Sequence, residues 1–440
     1  MFDKLFRLFR KKGEPQPDVM FGRYSDNNKT VGKVSRWTEA DNLFKDQKYQ
    51  QSVDAFFEYL RDDSVKNVNT ERKGEVLNFV IYQGSKVVRG SCNGRRLTAE
   101  VNIARMSQPS IPVMRRLLEQ NYLLYYSRYT LNKDLICMRF DSEIETANPN
   151  KLYYGLKELA TKADKQDDLL VQDFATLEQI DTDHVQQLTE KEKRVKLQYF
   201  REFIENIINY IDTLDKDKLA GGIAYMLLGL GYRLDYLITL EGKLLQELEK
   251  IVSIYFSKEE KSAQEKNYLM VEAYRKLLEK KDNEILPYLF RSTSTFSIVA
   301  PQPHKMIADA LATAVQNMIW YRDNKFPEIA RQILEYGLAY CQYSYSLPKP
   351  LSELFQLFLQ INYPAYFQAL GFKNIFFDPA TKEFEKSEIE DEVGKIIMAW
   401  HEKYPNLEWK EQNIRYDNII SFNQSFLAEI QSMNFEGGKQ

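Results

Sequence analysis

The sequence predicts an α+β fold: an N-terminal antiparallel sheet with helices, in the order α-βββ-α-ββ-α, followed by a mostly all-α C-terminal region. Three observations predict it. β-branched and aromatic runs punctuated by Gly and Asn cluster over residues 75–140. Apolar residues at helical spacing dominate from residue 199 onward. Of 440 residues, 44% are hydrophobic and 13% aromatic, enough apolar material for more than one core.

Residues 1–34 read as an amphipathic N-terminal helix and a linker. In MFDKLFRLFRKK, Phe2, Phe6 and Phe9 share one side of a helical wheel with Leu5 and Leu8. The five cations less Asp3 leave a charge of +4 over these twelve residues. Such a segment suits weak contact with an anionic membrane surface or with a partner protein. It lacks the continuous apolar run of a secretory signal. Residues 13–34, rich in Gly, Pro, Asn and Asp, form the linker.

Residues 35–170 predict one α+β domain. The stretch from Arg36 to Asp62 is helical, with a corner at FKDQKY (44–49). EVLNFVIY (75–82), KVVRGS (86–91) and RRLTAEVNIA (95–104) are three strands, joined by turns at Gly84-Ser85 and Asn93-Gly94. Asn-Gly favours a type I′ hairpin, which needs positive φ at two positions. Pro109 opens a helix carrying Ile111, Met114, Leu117 and Leu118. LLYYSRYTL (123–131) and DLICMRF (134–140) form a second hairpin, and Pro149 opens a last helix with the stripe Leu152, Leu156, Leu159 and Ala163.

This element order, together with IPVMRRLLEQNYLLYYSRYTLNKDLICMRFD (111–141), resembles the type III secretion chaperone-like superfamily, which includes YbjN-like proteins. The resemblance covers under a third of the chain and carries no catalytic motif. It implies a binding role, with the helix of residues 109–121 as the surface for a protein client or for a second copy in a homodimer. Met114, Leu117 and Leu118 would be the contacts, and on that reading Leu117→Glu abolishes binding and spares the fold. The same stripe also fits a helix that faces its own sheet. The chain continues well beyond the length at which the secretion chaperones stop.

Residues 171–198 read as a charged linker and residues 199–440 as a helical domain. Its helical periodicities break near Thr239 to Gly242, around the loop STSTFSIVAPQP (292–303), and at a strand-turn-strand around Asp378-Pro379. FKDQKYQQSVDAFFEYL (44–60) is echoed by YRDNKFPEIARQILEYG (321–337), two corners of the kind found in tetratricopeptide-like helical hairpins, without the 34-residue recurrence of a solenoid.

Chemistry finds little purchase. A formal net charge of −3, from 60 Lys plus Arg against 63 Asp plus Glu, does not give a nucleic-acid footprint. Cys92, Cys137 and Cys341 make neither a disulfide framework nor a zinc set, which suits a reducing cytoplasmic compartment. His184, His304 and His401 are scattered. His401-Glu402 has Pro405 where a zinc-protease helix needs its second His. Gly221-Gly222 and Gly229-Leu230-Gly231 lack dinucleotide spacing and read as close helix packing. No apolar run reaches the ~18 residues that cross a bilayer.

Neither catalytic residues nor a cofactor or metal site are expected. Tyr122, Tyr125, Tyr126 and Tyr129 read as semi-buried core, whereas Tyr340, Tyr343 and Tyr345 at a helix end read as an exposed contact patch. The expected function is a non-enzymatic, chaperone-like or regulatory protein that presents apolar surface to a protein partner. Its rivals are an enzyme assembled only in space around His304 and residues 292–303, and a peripheral membrane scaffold using residues 1–12.

Overall fold

Alternation of buried and half-buried side chains along 76–83 and 96–105 builds the main sheet of the computed structural model, which describes residues 17–181 and 183–436. The amphipathic segment 1–12, with Phe2, Phe6 and Phe9, lies outside these residues. Residues 28–187 and 291–298 form an α+β unit. The described residues of 1–27, 188–290 and 299–440 form a helical unit.

The α+β unit begins with α1 (Val31–Lys45), capped by Thr30, and α2 (Tyr49–Leu60). Then come β1 (Val68–Lys73), β2 (Val76–Gln83), β3 (Lys86–Cys92) and β4 (Arg96–Arg105). Next are α3 (Ile111–Asn121), β5 (Arg128–Asn132), β6 (Leu135–Glu143) and α4 (Pro149–Asp173). The Asn148 side chain accepts from the Lys151 N–H, and Pro149 supplies a preset φ at the start of α4. The sheet is antiparallel with spatial order β1-β2-β3-β4-β6-β5, and the short β7 (Glu178–Gln179) also pairs with β4.

Two details depart from expectation. There are four strands before α3, because VNTERK (68–73) forms an edge strand. Its only buried residue is Val68, so no apolar alternation announced it. The meander also ends at β4: helix α3 carries the chain outward, so β6 pairs with β4 and β5 becomes the other edge. At Asn93-Gly94 only Gly94 has positive φ, so the turn is not type I′; Asn93 Oδ1 instead accepts from the N–H groups of Arg95 and Arg96.

Helix α4 lies across β2, β3, β4 and β6, and its stripe Leu152, Leu156, Leu159 and Ala163 is wholly buried, as the spacing predicts. Phe57 packs on Phe79 with ring centroids 4.5 Å apart. Cross-strand ion pairs, such as Arg139 of β6 directly opposite Glu100 of β4, are solvent-accessible. The segment 291–298 belongs to this unit and interrupts the helical region expected over 199–440. Buried Gln83 stitches it in: Oε1 accepts from the N–H groups of Thr295 and Phe296, and Nε2 donates to Phe296 O. Phe296 is buried against Tyr153.

The helical unit contains α5 (Glu190–Asp212), α6 (Ala220–Arg233), a π-helical turn at Leu234–Ile238, α7 (Gly242–Phe256) and α8 (Ala263–Leu278). It continues with α9 (His304–Asp323), α10 (Pro327–Ser344), α11 (Lys349–Asn362) and α12 (Pro364–Leu370). After a small hairpin of Phe377–Asp378 with Glu383–Phe384 come α13 (Lys386–Trp400) and α14 (Ile419–Ser432). Helix α4 runs to Asp173 and α5 starts at Glu190, so the expected linker over 171–198 shrinks at both ends. Gly222 sits against Tyr321 and Ile329, and Gly231 against Val252 and Tyr274, where a Cβ would collide.

The sequence echo is a shared turn. After α1, Gln47 adopts φ +62, Gln47 N–H bonds Phe44 O and Lys48 N–H bonds Leu43 O. After α9, Lys325 adopts φ +67, Lys325 N–H bonds Arg322 O and Phe326 N–H bonds Tyr321 O. Both are Schellman closures built on a non-glycine residue.

A buried ion pair ties the α+β unit together. Lys86, with its side chain fully buried, places Nζ 3.0 Å from Asp167 Oδ2 of α4 and donates to Ile103 O and Ile180 O. Ser85 adds bonds to Asp164 and Asp167. Removing one partner of a buried pair strands the other charge, at a cost of about 3–5 kcal/mol. Lys86→Met should therefore lose about that much in urea unfolding, and Lys86→Met with Asp167→Leu should recover most of it. Additive losses in the double variant would show that the pair is not coupled.

Candidate protein-docking surface

The stretch after β4 divides its apolar residues between two faces. On α3, Val113 and Leu117 point into the core. Ile111, Met114 and Leu118, at the i, i+3, i+7 positions of the opposite face, point out; Leu118 is 65% exposed against 5% for Leu117. One residue step turns the helix by about 100°, enough to separate them. The outward face runs on into the loop, where Tyr122 and Tyr125 are each 92% exposed and Leu123 and Tyr126 are exposed as well. Leu131 on β5 adds one more. Among the described residues, eight of the nineteen exposed large apolar side chains fall within residues 111–131.

A carboxylate holds that loop open. Glu158, on α4, accepts from three consecutive backbone N–H groups, those of Tyr125, Tyr126 and Ser127, each at 2.8 Å, and from the Ser127 hydroxyl. The Tyr129 N–H is satisfied by Asn121 Oδ1 at 2.8 Å. Burial would raise the Glu158 pKa, but the N–H and O–H donors hold it below the usual carboxylate range. The chain from 121 to 129 is thus bonded through its backbone, and its aromatic side chains face solvent because the core has no use for them. Along the rim stand Arg115, ion-paired with Glu119 on the same helix, and Arg128, paired with Asp141. Beyond β5 no further strand is paired among the described residues, so the sheet edge adjoins the apolar face.

Of the expected contact residues, Met114 and Leu118 lie on this surface. Leu117 does not: it is core, and Leu117→Glu would bury a charge and unfold the unit. Tyr122, Tyr125 and Tyr126 reverse their expectation, being exposed where semi-burial was expected; only Tyr129 is buried. The reason is that residues 122–127 form a loop instead of the first half of a strand.

Tyr340, Tyr343 and Tyr345 also correct the reading. They are half-buried within the helical unit and share contacts with Tyr232 and Tyr336. Burial pushes the Tyr232, Tyr336 and Tyr345 hydroxyls above the usual tyrosine range. They are an internal cluster and make no open patch.

His304 opens α9 in the helical unit, its ring 4.7 Å from that of Phe435, and burial lowers its pKa. Residues 292–298 of the loop expected to accompany it belong to the α+β unit. Among the described residues no three His, Cys, Asp or Glu side chains are placed to hold a metal ion. All three cysteines are free and buried. Near Lys86, burial and the neighbouring Asp167 push Asp168 up to about 7, against the pull of the lysine. No helix among the described residues is long and apolar enough to cross a membrane. Comparison of the chain with protein-family models, with curated proteins and with solved structures finds no match.

Leu117→Ala should cost about 2–5 kcal/mol in denaturant unfolding, whereas Leu118→Ala one residue away should change stability by no more than about 0.5 kcal/mol. Equal losses would contradict the division of faces. Because the folded Glu158 pKa is depressed, its stabilisation is present above the unfolded carboxylate value and is lost as pH falls through the folded one. Amide exchange at Tyr125, Tyr126 and Ser127 should therefore lose protection on acidification, after correction for the intrinsic rate. Glu158→Gln should show the weakened protection already at neutral pH.

Proposed function

We propose that the chain is a non-enzymatic binding protein of chaperone-like or regulatory type that docks a protein partner on the outer face of α3 and the loop that follows. The observation that carries this reading is the concentration of exposed apolar and aromatic side chains over residues 111–131, on a loop whose backbone is pinned by Glu158. Exposed apolar side chains on a fixed backbone lose little conformational entropy on docking. Tyrosines with one apolar face and one hydroxyl are suited to interfaces that alternate between wet and covered. Burial would supply about 25 cal/mol per Å² of apolar area, and no chemical step is needed. The element order of residues 35–170, which resembles the secretion chaperone-like superfamily, is compatible with this role, and the three buried free thiols suit a reducing cytoplasm.

Photo-crosslinking in cells tests it. Full-length chains carrying p-benzoylphenylalanine in place of Tyr122 or Leu118 should give a discrete protein adduct. A control with the same group in place of Tyr268, exposed on α8, should not. A chain crosslinked to its own copy would identify the partner as a homodimer mate. No adduct at Tyr122 or Leu118, or the same adducts at Tyr268, would overturn the proposal.

A further inference from the structure

Residues 17–25 adopt neither helix nor strand, yet they are held against the helical unit like a bound peptide. Within them one backbone–backbone bond reaches the helical elements, from Gly22 N–H to Tyr236 O at 2.8 Å. The remaining contacts come from side chains. Phe21 sits among the rings of Tyr236, Tyr366, Phe367 and Phe372, with centroids 5.3 to 6.4 Å away. Gly22 has φ +65, and a Cβ there would come within 2.5 Å of the Tyr236 ring. Arg23 grips Asp235 with Nε at 3.1 Å from both carboxylate oxygens and Nη2 at 2.9 Å. Its Nη2 also reaches Glu249 at 2.9 Å, and its guanidinium lies 4.3 Å over the Tyr343 ring.

Every part of this site selects for one tripeptide chemistry. The four-ring pocket takes an aromatic. Tyr236 excludes any side chain at the next position. The Asp235 carboxylate, covered with Arg23 in place, suits a planar cation with two donors, and the Tyr343 face suits a guanidinium better than an ammonium. The floor is the π-helical turn Leu234–Ile238, whose irregular winding presents Asp235 and the Tyr236 carbonyl side by side; such turns recur at functional sites.

We propose that this groove is a recognition site for an extended peptide bearing aromatic-Gly-Arg, and that Phe21-Gly22-Arg23 occupy it as a tethered intramolecular ligand. The site lies in the helical unit and does not rest on the docking reading of α3. Tethering gives the cis segment an effective concentration on the order of millimolar, so a competing partner must exceed it or act when the segment is withdrawn.

The test uses the full chain with Phe21→Ala and Arg23→Ala, which empties the site, and a fluorescein-labelled peptide PDVMFGRYSDN matching residues 17–27. Anisotropy should show saturable binding to the folded variant, at least tenfold tighter than to the unmodified chain. Peptides with Glu in place of the arginine, or Ala in place of the glycine, should bind at least tenfold more weakly. No saturable binding to the folded variant, or indifference to both peptide changes, would overturn the proposal. If the double variant does not fold, Gly22→Ala, which expels the segment by contact with Tyr236, replaces it. If that variant also fails to fold, residues 17–25 are integral core and the proposal fails.

Discussion

The α+β unit depends on where a buried ammonium finds its counter-charge. Lys86 follows the β2–β3 turn with its side chain sealed from solvent, so Asp167 of α4, Ile103 O of β4 and Ile180 O after β7 must all come to it. An unpaired ammonium in that position would be worth several kcal/mol against folding. The requirement fixes the C-terminal half of α4 over the sheet. Nine residues earlier, about 13 Å along the same helix, Glu158 then arrives beside residues 125–127 and takes their N–H groups. The apolar face after β4 is therefore held directly by a helix whose own position the Lys86–Asp167 pair helps to fix.

That linkage explains why exposed tyrosines can persist there. A loop free to move would fold its aromatics inward against any available apolar surface, because burial is favourable and the backbone would not resist. With three consecutive N–H groups bonded to one carboxylate, collapse would have to break those bonds and leave Glu158 half-buried without donors. The exposed state of Tyr122 and Tyr125 is thus the lower-energy arrangement for the unit alone. It is also the arrangement in which a covering partner gains the full apolar area.

Much of this architecture is legible in the chain itself, for reasons particular residues make plain. The stripe Leu152, Leu156, Leu159 and Ala163 announces a core helix because the helical period and burial coincide. The break at Thr239–Gly242 and the hairpin at Asp378-Pro379 follow from local backbone preferences. VNTERK conceals its strand because an edge strand needs only one buried side chain, Val68. The α3 face was legible as apolar, but Leu117 and Leu118 have the same hydropathy; only packing decides which one faces inward. Residues 122–127 looked like strand because their composition is that of strand, and the cue that they are not, Glu158, stands 31 to 33 residues beyond the N–H groups it binds, among other surface carboxylates. Tyr340, Tyr343 and Tyr345 looked exposed at a helix end because nothing near them in the chain reveals the approach of Tyr232 or the return of Arg23.

Two of the buried charges of the helical unit meet their partners in opposite ways. Arg233, at the end of α6, is satisfied by Glu335 at 2.5 Å and Gln332 at 2.5 Å, both on α10, with the Tyr363 ring 4.7 Å below and its hydroxyl donating to the same Glu335. Every partner belongs to a regular element or its edge, and none can leave without unfolding the bundle. Asp235, two residues on, faces a guanidinium delivered by an irregular segment 212 residues away in sequence. The helices supply this carboxylate with a socket and leave the cation to be brought in. A core built for stability alone has a cheaper solution at such a position, an apolar side chain of similar volume. A carboxylate kept there, beside a π-helical turn, is what the proposed recognition site requires, since its partner cation comes from an irregular segment and not from a neighbouring helix.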